Sequence, residues 1–138
     1  FNANCGLYFK SIAGTLNHLL VGEHYLWFPR FLAKPSPVLK LNTIIENDKD
    51  KLISQLEDKA HNWIGFLKDV DVEKFKYDLQ YKTSTGKDMK LPYAATLLHV
   101  FNHGIHHRGQ ITAALTSMGY LCPEIDLVYM LIEENKPT

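Results

Sequence analysis

The stretch SIAGTLNHLLVGEHYLWFPRFL, Ser11 to Leu32, limits the possible folds more than any other part of the chain. Ile12, Leu16, Leu19, Leu20, Trp27, Phe28 and Phe31 recur at helical spacing, yet they cover most of the circumference instead of one stripe. A helix apolar on nearly every side is stable only when it is surrounded, so the chain must build a helical bundle or an assembly around it. Pro29 lacks an N–H and should kink this helix or end it early, and Pro35 and Pro37 in KPSP enforce a break.

A second helix is predicted from about Asn42 to Asp69, with Ile45, Leu52, Leu56, Trp63 and Leu67 on one stripe and charged residues opposite. The period then changes to two. Phe75, Tyr77, Leu79 and Tyr81 alternate with polar residues, TSTG supplies a turn ending at Gly86, and a short β-hairpin returns through Met89 and Leu91. Pro92, at a first helical position, opens a third helix that runs to about Ser117, with Gly119 as its C-cap. Pro123 precedes a last short helix near Glu124 to Glu133. With no repeat or linker, residues 1–138 read as one domain, large enough to bury a core without disulfides.

Charge narrows the partners. Fifteen basic and fifteen acidic side chains cancel, which argues against a nucleic-acid partner. No apolar run approaches the ~18 residues of a membrane span, and the two cysteines, Cys5 and Cys122, form no paired pattern. A cytoplasmic protein with free thiols is the expectation.

The chemistry is concentrated in HVFNHGIHHRGQ, residues 99–110. On the third helix Leu97, Val100, Ile111, Ala114, Leu115 and Met118 define the core arc. His107 falls at its edge, His103 somewhat further out, His99 further again, and His106 on the polar side with Asn102 and Gln110. The i, i+4 spacing of His103 and His107 stacks two rings on one face, near enough to share a metal ion. Two ligands rarely suffice, and the other histidines are His18, His24 and His61. His61 lies on the charged helix and ranks last. His18 shares a strip with Ser11, Thr15 and Gly22, whose small side chains leave room beside it, while His24 falls on a different side. A plainer reading stays open: HxxxH can be two surface or capped histidines, and His18 a hydrogen-bonded core residue. Arg108, between two apolar arcs, should have a carboxylate or carbonyl partner.

The segments LLHVFNHGIHHRGQITAALTSMGY and SIAGTLNHLLVGEHYLW, with YKTSTGKDMKLPYAATLLH between them, resemble the DinB family of the DinB/YfiT-like metalloenzyme superfamily. The resemblance covers essentially the whole chain and is weakest between Leu32 and Asp71. It implies an all-α fold, a four-helix bundle with a short β-hairpin insertion, in which His18, His103 and His107 bind a divalent metal. Family members carry a long helix ahead of the segment equivalent to CGLYFKSIAGTLNHLL, whereas here ten residues precede Ser11. That helix lies outside this sequence, or another chain fills its place. The resemblance also implies a homodimer, with Leu98, Phe101 and Ile105 as candidate contacts.

Three neutral imidazoles would leave a coordination position open, as in catalytic sites. The family includes thiol-dependent S-transferases, so the implied activity is metal-assisted attack of a small thiol on an electrophile. The alternatives are hydrolysis by a metal-activated water, or a stress-induced metal-binding protein without turnover. Nitrogen donors suit zinc, nickel, copper or iron, and an added water or carboxylate would admit manganese.

Overall fold

The computed structural model describes residues 1–136 and is helical apart from one two-stranded hairpin. The first rod begins at Ser11, whose extended backbone and hydroxyl, accepting from the Gly14 N–H at 3.0 Å, cap α1 (Ile12–Leu19). It runs on as a π-helical segment (Leu20–Trp27) and then α2 (Phe28–Phe31). The rod therefore passes Pro29 and stops at Phe31. Widening the ladder makes this possible: the Phe28 N–H bonds to Glu23 five residues back, and Pro29 falls in the first turn of α2, where its missing N–H costs little. As its all-round apolarity requires, most of the rod is buried, with Leu20 and Val21 at 0 % exposure.

The second rod, α3 (Lys49–Asp69), starts later than the Asn42 expected from periodicity. Asp48 caps it by accepting the Lys51 N–H, and the Glu46 carboxylate takes the N–H groups of Asn47 and Asp48. Ile45 is accordingly outside the helix. Leu52 and Trp63 are buried and Leu56 half-buried, whereas Leu67 is exposed, so the apolar stripe fades toward the end of the helix.

A 3-10 turn (Val72–Lys76) follows and contains Phe75, which alternation alone would have put in a strand. Asp71 caps this turn by accepting from the Glu73 N–H, which closes a local hydrogen bond before sheet pairing can start. The hairpin comprises β1 (Asp78–Lys82) and β2 (Asp88–Pro92), antiparallel, pairing Leu79 with Leu91 and Tyr81 with Met89. Gly86 supplies the positive φ of its turn.

The third rod is α4 (Tyr93–Ser117). Pro92 ends β2 and occupies the cap position, one residue ahead of the expected first helical turn. At the other end the Gly119 N–H bonds to Thr116 and the Tyr120 N–H to Leu115, the Schellman pattern, with Gly119 at φ 84. Leu97, Val100 and Ala114 are buried, and Ile111 and Leu115 half-buried. Met118, expected on the core face, is exposed because it is the cap residue at which the chain leaves the rod.

α1 and α4 run antiparallel, since His18 meets His103 and His107 while Trp27, further along, meets His99. Phe31, Trp63, Leu79, Tyr93, Leu97 and Val100 form the central cluster where the three rods and the hairpin meet. The last helix, α5 (Leu127–Glu134), is shorter than expected and buries none of its side chains. The core is thus built by three rods.

Candidate metal centre

His18 projects from α1, and His103 and His107 from successive turns of α4. Gly22 faces the middle ring, and a Cβ there would stand in ordinary contact, 3.7 Å from His103 Cε1. The three Nε2 atoms face one another, His18 to His103 at 3.0 Å and His103 to His107 at 3.2 Å. One nitrogen from each ring lies within 4.8 Å of the others.

The outer nitrogens decide which way the lone pairs point. His18 Nδ1 donates to the Leu41 carbonyl at 2.9 Å, so its Nε2 carries a lone pair. His107 Nδ1 donates to Gln110 Oε1 at 2.8 Å, and Gln110 Nε2 donates in turn to His106 Nε2 at 3.0 Å. His107 Nε2 therefore also presents a lone pair. Both converge on His103 Nε2, whose single possible N–H cannot lie along both directions, while His103 Nδ1 is buried with no partner. A cation resolves this geometry. At the 2.0–2.1 Å bond lengths of imidazole ligands, a tetrahedral ion separates neighbouring nitrogens by roughly 3.3 Å, close to the spacings seen.

Protonation agrees with that fit. Burial lowers the pKa of His18, with the neighbouring His107 adding to the effect and the Leu41 bond opposing it. Burial and then the adjacent imidazoles bring His103 down to about 4, and burial lowers His107 against the opposing Gln110 bond. The rings stay neutral at pH 7, as ligands must.

Phe9 roofs the site, stacking on His18 at 3.9 Å and meeting the edge of His107 at 5.8 Å. Its placement needs a glycine below, because a Cβ at Gly14 would collide with the Phe9 carbonyl. Next to Phe9 and Leu41, and lined by none of the three histidines, is a cavity of about 510 Å³ whose walls include Tyr8, Lys10, Asn42 and Ile44. Its size suits a small molecule.

The structure brings together His18, His103 and His107 and leaves the other histidines outside. His61 is exposed on α3, bonded to the Glu57 carbonyl. His99 and His106 are exposed, and His24 lies 3.9 Å from Glu23 on another side of the rod. Two supporting residues escape a reading by residue type. Gln110 shares the polar face with His106, and Asn17 is a lone polar residue in an apolar helix. Asn17 is fully buried and accepts from the Ile45 and Glu46 N–H groups at 2.7 and 3.0 Å while donating to Glu46 O at 2.9 Å. It anchors the segment that brings Leu41 to His18.

Arg108 is exposed and needs no buried partner; it lies with Glu23 over Gly104, where a side chain would collide with both. Burial raises the Glu23 pKa to about 7, partly countered by Arg108. Folded Glu23 thus holds a proton between pH 4.5 and 7 that the unfolded chain has released, and its contribution to stability falls as pH rises through that window. Glu23→Gln should remove the penalty. It is expected to stabilise the protein at pH 8 by up to about 3 kcal/mol relative to its effect at pH 4.5, read from urea unfolding at the two pH values.

The family model for the DinB family matches residues 1–136. Protein DinB of Bacillus subtilis (strain 168) is 32 % identical over 124 residues, covering 86 % of this chain and 70 % of that protein. No solved structure matches the chain significantly. With a full-length family match and a helical fold carrying a three-histidine cluster, the chain belongs to the DinB family.

Proposed function

We propose that His18, His103 and His107 hold a divalent metal ion, and that the protein uses it to activate a low-molecular-weight thiol for attack on an electrophile. The observation carrying this reading is the pair of lone pairs, on His18 and His107, fixed by Leu41 and Gln110 to point at the third ring. When bound, the ion supplies Lewis acidity that brings a thiol or water into its nucleophilic form near neutral pH. The chain holds the ligands in one tautomer, and Phe9 shields them from water. A thiol from outside is favoured because Cys5 and Cys122 bond to the Lys10 and Thr112 carbonyls and belong to no histidine cluster.

A binding protein without turnover is the second reading, favoured by the closeness of the Phe9 roof. Conjugation of a generic electrophile by several thiols, with the metal-free protein and after loading with zinc, nickel, manganese or iron, separates the two. Metal-dependent rates support the first. Elemental analysis of protein purified without chelator or affinity metal identifies the ion. Hydrolysis by an activated water, the enzymatic variant, appears as product formation without thiol.

Gln110→Leu should keep the fold and lose the acceptor for His107 Nδ1. Metal affinity is expected to fall by about 10–100-fold, measured by competition with a chelating dye.

We also propose a homodimer in which a second copy completes a four-helix bundle. Leu98 and Ile105 are 59 % and 53 % exposed on α4, and α5 presents uncovered apolar residues. Phe101 packs instead against Trp63 at 5.5 Å, which leaves less of it for a partner. No helix among the described residues is long and apolar enough to cross a membrane, and we place the protein in the cytoplasm.

A further inference from the structure

Arg30 lies at the end of the first rod, on the order of 15 Å along it from His18. Its guanidinium packs on an aromatic corner, with Cζ 4.7 Å from the centroid of Trp27 and 4.7 Å from that of Tyr81, the two rings meeting edge to face at 5.2 Å. The residue is 8 % exposed. The rings attract the cation through their π faces but offer no oxygen to its five N–H bonds. No carboxylate among the described residues is within ion-pair distance of it, and its Nε is buried without an acceptor. A largely buried cation with a buried N–H left unsatisfied, as Nε is here, is costly, and it normally has an anion for a partner.

Beside Arg30 opens a cavity of about 400 Å³, walled by Lys34, Val38, Gln80, Tyr81, Lys82 and Thr83 as well as by Arg30 itself. The lining holds three cationic side chains and no acidic one. The nearby Asp88 is an exposed residue paired with Lys82 Nζ at 2.6 Å. The chain turns at the lip through Ala33 at φ 54, a left-handed conformation that a residue with a Cβ adopts at a cost. The aromatic corner backs the guanidinium on one side, and a guanidinium fork matches two oxygens of a phosphate or carboxylate.

We propose that this cavity binds a small molecule through an oxyanion, phosphate or carboxylate, held in the plane of the Arg30 guanidinium with Lys34 adding charge. The site is separate from the histidine cluster and does not depend on its metal. The cavity volume falls in the range of small-molecule pockets.

Titration of the whole protein with inorganic phosphate and, separately, with succinate tests the proposal, at constant ionic strength maintained with chloride. Heat is read by calorimetry and Trp27 by its fluorescence. Saturable binding of at least one probe is expected: tighter phosphate points to a phosphorylated ligand, tighter succinate to a carboxylic acid. Arg30→Lys keeps the charge and loses the fork, and should weaken binding about 10–100-fold. Because Arg30 is packed among aromatics, Lys34→Glu is measured beside it. Lys34 is exposed, so this variant should keep the unfolding midpoint while weakening binding several-fold. No saturable response to either probe, or affinities unchanged in both variants, overturns the proposal.

Discussion

His107→Ala is expected to lower metal affinity by several hundredfold to about a thousandfold. If the ~10–16 kcal/mol of a four-ligand zinc site is shared among its ligands, one imidazole contributes about 3–4 kcal/mol. The variant should also remove any metal-dependent thiol conjugation. His61→Ala is the control, since His61 is exposed on α3 and away from the cluster. Acidity supplies a second signature. With the ligand pKa values held below 6.5, and that of His103 near 4, wild-type affinity should stay nearly flat from pH 8 to 6.5. In the metal-free protein the three rings contribute a loss of stability as pH falls from 6.5 toward 4, opposite in sign to the Glu23 contribution, because the unfolded chain gains protons there that the buried rings refuse, and the loss should shrink in His107→Ala. Equal stoichiometry and affinity in His107→Ala and wild type would remove the basis for the proposed function.

Asn17→Leu is expected to cost on the order of 3–4 kcal/mol of stability, a large effect for one near-isosteric change. Leucine fills the space but accepts nothing. The N–H groups of Ile45 and Glu46 and the Glu46 carbonyl then lose their partner, at about 1–3 kcal/mol each before water recovers part of it. The same change frees the segment leading from Leu41, the acceptor for His18 Nδ1. Metal affinity should fall by about tenfold or more as that ring loses its orientation. Urea unfolding and metal titration of the variant check both parts. A stability loss below about 1 kcal/mol would show that the 45–46 segment is held by other contacts.

The helical character was legible because burial acts on each position separately. The all-round apolarity of the first rod, the alternation around Leu79 and the turn at Gly86 are local patterns, and the structure follows them. The histidine pair was legible for the same reason, as four residues on one helix return a side chain to the same face. Where elements begin was harder to read. Ile45 satisfies the helical period, yet its N–H belongs to Asn17, 28 residues away. Phe75 satisfies the strand period, yet Asp71 draws it into a 3-10 turn.

Residue order alone specifies a helical protein with a hairpin, a two-histidine helix face and a short list of third partners, all consequences of periodicity within single elements. The packing of separate elements is what brings His18 to His103 and His107, sets their tautomers through Leu41 and Gln110, and leaves Arg30 with no acid in ion-pair distance among the described residues. Those facts depend on where separate elements cross, and crossing is fixed by the packing of whole surfaces, which no local spacing encodes.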